Sequence, residues 1–457
     1  MNMNLQNFFS PKSIAIIGAS RTSGKVGHEI MKNLIEGKYL GQIFPINKEG
    51  DEVLGRKIFR SILDVYEKID LAILAIPAEF VLPVLKQCKK KKISSVLIIS
   101  SGFKEIGNEK LELEVQNFLR KNEMKAIGVN CLGIYDAYSN LDALFIPRYK
   151  LKRPDRGGIS FVCQSGAIGA AILDLAAHEG HTFSKFISYG NATDIDESDI
   201  LKYLENDETT KVICLYVEGI KDGEKFFKTL QKVAKKKPII ALKGGLSEEG
   251  SKAVMSHTGS LAGAKEVFYG IFNQTRVIHA NSLEEMFEIA SLFEFIPNKI
   301  GNRIQVVTNG GGFGILSIDS ISASKNLSLA ELSENTKKNL RAQLPRLINI
   351  GNPLDLVGDA DPRRYEIALD QIMHDKNVDT VLVIVLYQTP LITKDVIDVI
   401  KNFKLKSSKS LIVISTGGDF TRLLSLQLEK DSIPVFQYPE NAIKALDKVA
   451  GYYNKLS

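Results

Sequence analysis

The chain has no tryptophan and only four cysteines among its 457 residues. Cys88, Cys131, Cys163 and Cys214 include no C-x-x-C pair, which excludes a disulfide framework and a cysteine zinc site and fits a reducing compartment. Long apolar runs are also missing. The longest, Val381 to Tyr387, falls far short of the ~20 residues that a spanning helix needs. Met1 to Ser10 lacks the basic start and apolar stretch of a signal peptide. The expectation is therefore a cytoplasmic chain without a membrane segment. No sign of charge dominates. Lys+Arg is 59 and Asp+Glu 53, a net +6, too dilute to point to nucleic acid. With 44 % hydrophobic and 25 % charged residues, the usage is that of a globular protein, which excludes a disordered, collagen-like or fibrous chain. At ~150 residues per domain the length suggests about three domains.

Glycine is plentiful, with 35 residues, several of them following short β-branched runs. Those runs are Ile14–Ile17, Leu71–Ile76, Val96–Ile99, Ile159–Val162, Val212–Val217, Ile239–Leu242, Ile304–Val307, Val381–Leu386 and Leu411–Ile414. Helical patterns lie between them, such as His28–Glu36 with Ile30, Leu34 and Ile35 on one face. This is the rhythm of parallel sheets covered by helices on both faces. Polar breaks at Lys152–Gly158 and Pro297–Arg303 divide the chain into residues 1–151, 158–296 and 302–457. Each segment opens with a strand, a glycine-containing turn and a helix. The expected fold class is α/β, three doubly wound domains in series, with ligands at the carboxyl ends of the strands. The lysine runs Lys89–Lys92 and Lys235–Lys237 close helices just before strands, where cations complement the helix end. They carry no interleaved aromatic residues and read as solvated helix ends.

The first turn, Gly18-Ala-Ser-Arg-Thr-Ser-Gly-Lys-Val-Gly27, has bare backbone where phosphate oxygens could approach the amides of a helix N-terminus. A purely structural turn is the other reading. It is not a P-loop: five residues separate Gly18 from Gly24 where that motif has four, and Val26 stands where a Ser/Thr would hold magnesium. Nor is it a G-x-G-x-x-G, and no acidic residue follows the second strand to hold a ribose, which weakens a dinucleotide reading. Pro77 and Ser100-Ser101-Gly102 follow later strands and point to the same crevice. Lys48 can serve it as a point charge or remain a solvated lysine.

In the second segment Ser165, in Cys163-Gln-Ser-Gly166, can cap a helix whose free amides make an anion pocket. A missing glycine two residues before it rules out the hydrolase elbow. His257 lies in Ser256-His-Thr-Gly-Ser-Leu-Ala-Gly263, which reads as an exposed loop before a helix. A ring nitrogen there, neutral near pH ~6.5 and above, can act as a nucleophile; contact with a ligand and plain surface exposure are the other readings. Glu218, at the end of Val212–Val217, can accept the second ring N–H and fix the tautomer. His178 and His181 lack the H-E-x-x-H spacing and read as a helix end; no metal site is expected.

The order of the first turn, Gly128-Val-Asn-Cys-Leu-Gly133, Cys163-Gln-Ser-Gly166 and Ser256-His-Thr-Gly259 resembles the NDP-forming acyl-CoA synthetases, relatives of succinyl-CoA synthetase, along essentially the whole chain. The resemblance implies a Rossmann-like CoA-binding domain followed by two flavodoxin-like domains. It also implies an acid–thiol ligase α subunit that interconverts acyl-CoA, ADP and phosphate with acid, CoA and ATP. By it His257 is the phosphorylated histidine, Glu218 its orienting carboxylate, and Ser165 and Gly166 the phosphate-holding helix start. CoA would lie against Gly18, Ala19, Ser20, Ser23, Gly24, Lys25 and Val26, with Asn47, Lys48, Pro77, Ser100, Ser101 and Gly102. Asn309, Gly310, Gly311 and Gly312 would form a loop near the acyl and phosphate site. The nucleotide-binding ATP-grasp domain is absent, which implies a separate β subunit holding most of the Mg²⁺–nucleotide, in an α2β2 heterotetramer. Ala170 stands where succinyl-CoA synthetases carry a tyrosine, so a monocarboxylate such as acetate is the expected acid. A CoA-sensing module without turnover is the alternative, and the pair His257 and Glu218 argues against it.

Overall fold

The computed structural model describes residues 5–258, 264–296 and 300–455, without the side chains of 253 and 255–258. Three parallel sheets repeat one plan. The first contains β1 (Ser13–Ile17), β2 (Gln42–Ile46), β5 (Leu71–Leu74), β6 (Ser95–Ile98) and β7 (Lys125–Gly128), in the order β2-β1-β5-β6-β7. A small hairpin, β3 (Glu52–Val53) with β4 (Arg56–Lys57), stands apart from it. The second sheet holds β8 (Ile134–Asp136), β9 (Leu141–Asp142), β10 (Arg156–Cys163), β11 (Phe183–Ser188), β12 (Val212–Val217), β13 (Ile239–Lys243) and β14 (Ile278–His279). Its order is β14-β13-β12-β10-β11-β8-β9, with β8 and β9 antiparallel. The third is built of β15 (Arg303–Thr308), β16 (Ser328–Leu329), β18 (Thr380–Ile384), β19 (Ser410–Ile414) and β20 (Val435–Phe436), with β17 (Leu354–Asp355) paired to the end of β15.

Counted from the first strand of each parallel set, and leaving β17 aside, all three sheets have the doubly wound order 2-1-3-4-5. The chain reverses direction across the sheet between the first and third strands, and this opens a crevice at their carboxyl ends. The strands are β-branched and buried along their length because helices cover both faces; β1 and β18, for instance, have no exposed residue. By its contacts the molecule comprises two units, residues 1–283 and 284–457.

Three features depart from the expected organisation. Strands β8 and β9 lie within residues 1–151 yet extend the second sheet. Strand β10 starts at Arg156, inside the polar break. The helix Leu283–Phe295 belongs almost wholly to the unit 284–457, where Phe293 packs edge-on against Tyr452 at 5.3 Å and Glu285 pairs with Lys448 at 2.6 Å.

Strand β11 was invisible in the apolar pattern because Phe-Ser-Lys-Phe-Ile-Ser carries a lysine at its centre. Lys185 is 1 % exposed and is held by Asp207 at 2.9 Å and Asp136 at 3.2 Å. A buried charge is tolerated when it is paired in this way. Among the described residues no helix is long and apolar enough to cross a membrane. All four cysteines are buried.

Candidate functional site

The first turn is shaped by close backbone approach. Gly18 has φ +95°, and a Cβ there would fall 2.2 Å from the Ala75 carbonyl oxygen. A Cβ on Gly27 would fall 2.1 Å from the Gly18 carbonyl oxygen. The helix Val26–Glu36 can therefore start directly against the end of β1. Lys25 and Val26, at its start, line the crevice. Side chains from its own first turns fold the loop back. Glu29 accepts from the Gly24 amide at 2.7 Å, and His28 Nδ1 lies 2.9 Å from the Ser20 carbonyl oxygen. Asn47 Nδ2 donates to the Ala19 carbonyl at 2.7 Å.

The switch points of the first two sheets open onto one cavity of about 940 Å³. From the first sheet it is walled by Gly18, Ser20, Lys25, Val26, Pro77, Ser100 and Ser101. From the second it receives Ser165, Gly166 and Glu218. Of the expected contacts, Ala19, Ser23, Gly24, Asn47, Lys48 and Gly102 do not line it. Ala19 is buried and Asn47 buttresses the loop. Lys48 lies over the Phe80 ring at 5.4 Å.

Ser165 caps the helix Gly166–His178, its Oγ accepting from the Ile168 amide at 3.4 Å. Beside it, Gln164 Oε1 accepts from the amides of Glu218 at 2.7 Å and Gly219 at 3.1 Å. Glu218 is 6 % exposed, and its Oε1 accepts from the Tyr216 hydroxyl at 3.3 Å. Burial, followed by the charge of Glu218, pushes that phenol well above its ordinary range. The same carboxylate sits beside Lys243, whose ammonium burial lowers to about 8 despite the opposing pull of Glu218. Cys131 also lines the cavity, but burial pushes its thiol up to about 12, and Cys163 moves further in the same direction. Both remain thiols and are poor nucleophiles.

The far wall of the cavity joins the two domains. Asn191 donates to Glu105 Oε2 at 2.8 Å and to Glu112 Oε2 at 3.0 Å, while Glu105 Oε1 accepts from the Gly102 amide at 2.6 Å. Burial raises the Glu105 carboxyl, but these hydrogen bonds outweigh it and leave the group below its ordinary value. Gln164, Asn130, Asn191 and Glu105 were not singled out as site residues by sequence. The only available signal was that Asn130 and Gln164 stand inside motifs already noted.

His257 is not in a loop. Its backbone belongs to the helix Glu248–Thr258, which packs against the turn Lys104–Ile106. Glu248 and Glu249 in the first turn favour that helix, and local propensity at Ser256-His-Thr did not reveal that it continues so far. The histidine side chain and residues 259–263 lie outside the described residues. In the unit 284–457, Asn309 is committed to its own fold. Its Oδ1 accepts from the Leu386 amide at 2.9 Å and its Nδ2 donates to Thr389 Oγ1 at 3.0 Å. Gly310 caps the helix Gly311–Ala323, and a Cβ on Gly311 would fall 2.7 Å from Asp355 Oδ2. Among the described residues no cluster of three His, Cys, Asp or Glu could hold a metal ion.

Three doubly wound domains, with a phosphate-type turn in the first and a capped helix start beside a buried glutamate in the second, define a protein of the succinyl-CoA ligase class. Family models agree along the chain. The CoA binding domain matches residues 12–137, the succinyl-CoA ligase like flavodoxin domain 156–293 and the ligase-CoA domain 304–448.

The chain is 38 % identical over 449 residues to the α subunit of acetate–CoA ligase [ADP-forming] II of Pyrococcus furiosus, covering 96 % of both chains. It is 43 % identical over 446 residues to acetate–CoA ligase [ADP-forming] of Methanocaldococcus jannaschii, of which it spans 62 % of the length. The dinucleotide-forming acetyl-coenzyme A synthetase 1 of Ca. Korarchaeum cryptofilum, solved in complex with phosphate and ADP, superposes with a TM-score of 0.92 at 32 % identity, covering 100 % of this chain and 98 % of that one. The chain belongs to the family of ADP-forming acetate–CoA ligases.

Proposed function

We propose that the chain is the α subunit of an ADP-forming acyl-CoA synthetase. It would interconvert acyl-CoA, ADP and phosphate with acid, CoA and ATP through an acyl phosphate and a phosphohistidine at His257. The observation that carries this reading is that one cavity is walled both by the Gly18–Val26 turn and by Ser165, Gly166 and Glu218. A CoA thioester laid along the first wall brings its carbonyl to the second.

Ser165 and the start of the helix Gly166–His178 hold phosphate, because helix N-terminal amides and the positive dipole end favour an anion. Phosphate attacks the thioester carbonyl; the C–S bond breaks and CoA leaves as its thiol. His257 then attacks phosphorus, the P–O bond to the acyl oxygen breaks, and the carboxylate departs with the electron pair. Glu218 orients the imidazole and stabilises its positive form. Positioning and preorganised dipoles supply most of the catalysis. Ser20, Lys25, Ser100 and Ser101 provide hydroxyl and ammonium donors for CoA, and Lys48 a further positive charge.

The acid is a small monocarboxylate such as acetate. Ala170, on the first turns of the capped helix, presents a methyl rather than a polar group to the cavity. ADP and Mg²⁺ are assigned to a separate β subunit with an ATP-grasp domain, in an α2β2 assembly in the cytoplasm. The name of the Pyrococcus furiosus relative as an α subunit supports a partner chain. Asn309–Gly312 is proposed to serve the acyl and phosphate chemistry. The domain divisions proposed are residues 1–151, 158–296 and 302–457.

The test is His257→Ala, which abolishes ATP formation from acyl-CoA and leaves CoA affinity within twofold. ATP formation at the normal rate would overturn the mechanism. Glu218→Gln slows phosphorylation of the chain more than it weakens acyl-CoA binding; a loss confined to acyl-CoA affinity would make Glu218 a structural residue.

A further inference from the structure

Lys243 ends β13 and is 3 % exposed. A lysine this deep is normally neutralised by a carboxylate, yet among the described residues it makes no ion pair closer than 4.0 Å. Its ammonium instead donates to two main-chain oxygens, Glu218 at 2.8 Å and Gly244. Its charge lies 4.8 Å from the centre of the Phe268 ring. Glu218 is thus gripped at three points from three elements. Gln164 holds its amide, Tyr216 its carboxylate and Lys243 its carbonyl. The Gly244 amide closes the circuit on Val217 at 2.9 Å.

A methionine of similar length would fill the same space without the penalty of burying a charge. It would also leave the Glu218 and Gly244 carbonyl oxygens without this donor, so the ammonium serves the backbone at the end of Val212–Val217 and not merely the filling of space. The arrangement has a purpose if the backbone of Glu218 must be fixed and a cation kept behind its carboxylate.

We infer that Lys243 is a positioning residue for phosphoryl transfer, holding Glu218 in register with the phosphorylated histidine. This rests on the phosphohistidine reading above. The step affected is transfer from an acyl phosphate: the P–O bond to the acyl oxygen breaks, a P–N bond to the imidazole forms, and the carboxylate leaves with the electron pair. The CoA-binding turn is in the other domain, and among the described residues the partners of Lys243 are Glu218, Gly244 and Phe268, so CoA affinity is expected to stay near that of wild type.

The test uses the full chain with radiolabelled acetyl phosphate and follows acid-labile label on the chain with time, for wild type, Lys243→Met and Lys243→Arg. CoA affinity and thermal unfolding are measured on the same preparations. Expected are labelling at least tenfold slower in Lys243→Met, partial recovery in Lys243→Arg, CoA affinity within twofold of wild type, and cooperative unfolding of both variants from a folded state. Labelling of Lys243→Met at the wild-type rate overturns the inference. So does failure of Lys243→Met to fold, which would make the lysine a structural prop. Absence of label on wild type instead removes the phosphohistidine reading itself, and the inference with it.

Discussion

Replacing Gln164 by leucine tests whether the site is as preorganised as its geometry implies. The substitution keeps side-chain size and removes one acceptor oxygen. That oxygen receives two buried amides, Glu218 at 2.7 Å and Gly219 at 3.1 Å. Each amide left without a partner costs ~1–3 kcal/mol. For the pair we expect ~3 kcal/mol, because the end of the strand can partly reopen to water. A loss of that size corresponds to ~100-fold in local opening. The assay is native-state hydrogen exchange read at residues 218 and 219, with His257 phosphorylation followed in parallel. Gln164→Leu should lose about two orders of magnitude of protection at both amides and phosphorylate more slowly. Gln164→Glu keeps the acceptor, so protection should persist, while a second carboxylate beside Glu218 raises the proton affinity of both. Protection in Gln164→Leu within threefold of wild type would refute the reasoning, since the two bonds would then contribute nothing.

Other positions give sharper contrasts. Gly27→Ala drives a methyl to 2.1 Å from the Gly18 carbonyl oxygen, whereas Gly24→Ala meets nothing within 4 Å and bears only the strain of φ +84°. The strain alone costs ~1–2 kcal/mol; Gly27→Ala should cost more and weaken CoA binding at least tenfold by calorimetry, and equal losses in the two variants would contradict the close-approach account. Glu197 is buried, and burial followed by the charge of Asp196 raises its carboxyl to about 8. The folded chain then holds that proton more tightly than the unfolded chain does, so stability is full below about pH 4.5 and falls as pH rises toward 8. Glu197→Gln should therefore gain on the order of 4 kcal/mol over wild type at pH 8 and much less at pH 5 in urea denaturation, and a pH-independent difference would rule this out.

The framework was legible where local chemistry and tertiary role coincide. The runs at Ile14, Val212 and Val381 are strands buried on both faces because their β-branched residues permit nothing else at a sheet centre. Gly18 and Gly27 stand where backbone meets backbone, which is why the turn could be read from its glycines. What stayed hidden depended on partners distant in sequence. Lys185 disguised a central strand because the carboxylates that neutralise it lie at positions 136 and 207. Gln164 shows its importance only through amides more than fifty residues away. The segment Ser256–Gly263 around His257 reads as a loop because serine and threonine favour turns, yet the backbone of Ser256–Thr258 continues a helix packed on Lys104–Ile106.

The central claim is a phosphoryl relay through His257. The direct measurement is mass spectrometry of the full chain after incubation with acetyl phosphate, with peptide mapping of any label. A relay predicts one phosphoryl group per chain, acid-labile and base-stable, on His257, and its loss on adding acetate together with CoA, as acetyl-CoA and phosphate form. Absence of label in a chain that still binds CoA, with a competent β subunit and Mg·ATP supplied as an alternative donor, would contradict it and leave a CoA-sensing module in its place.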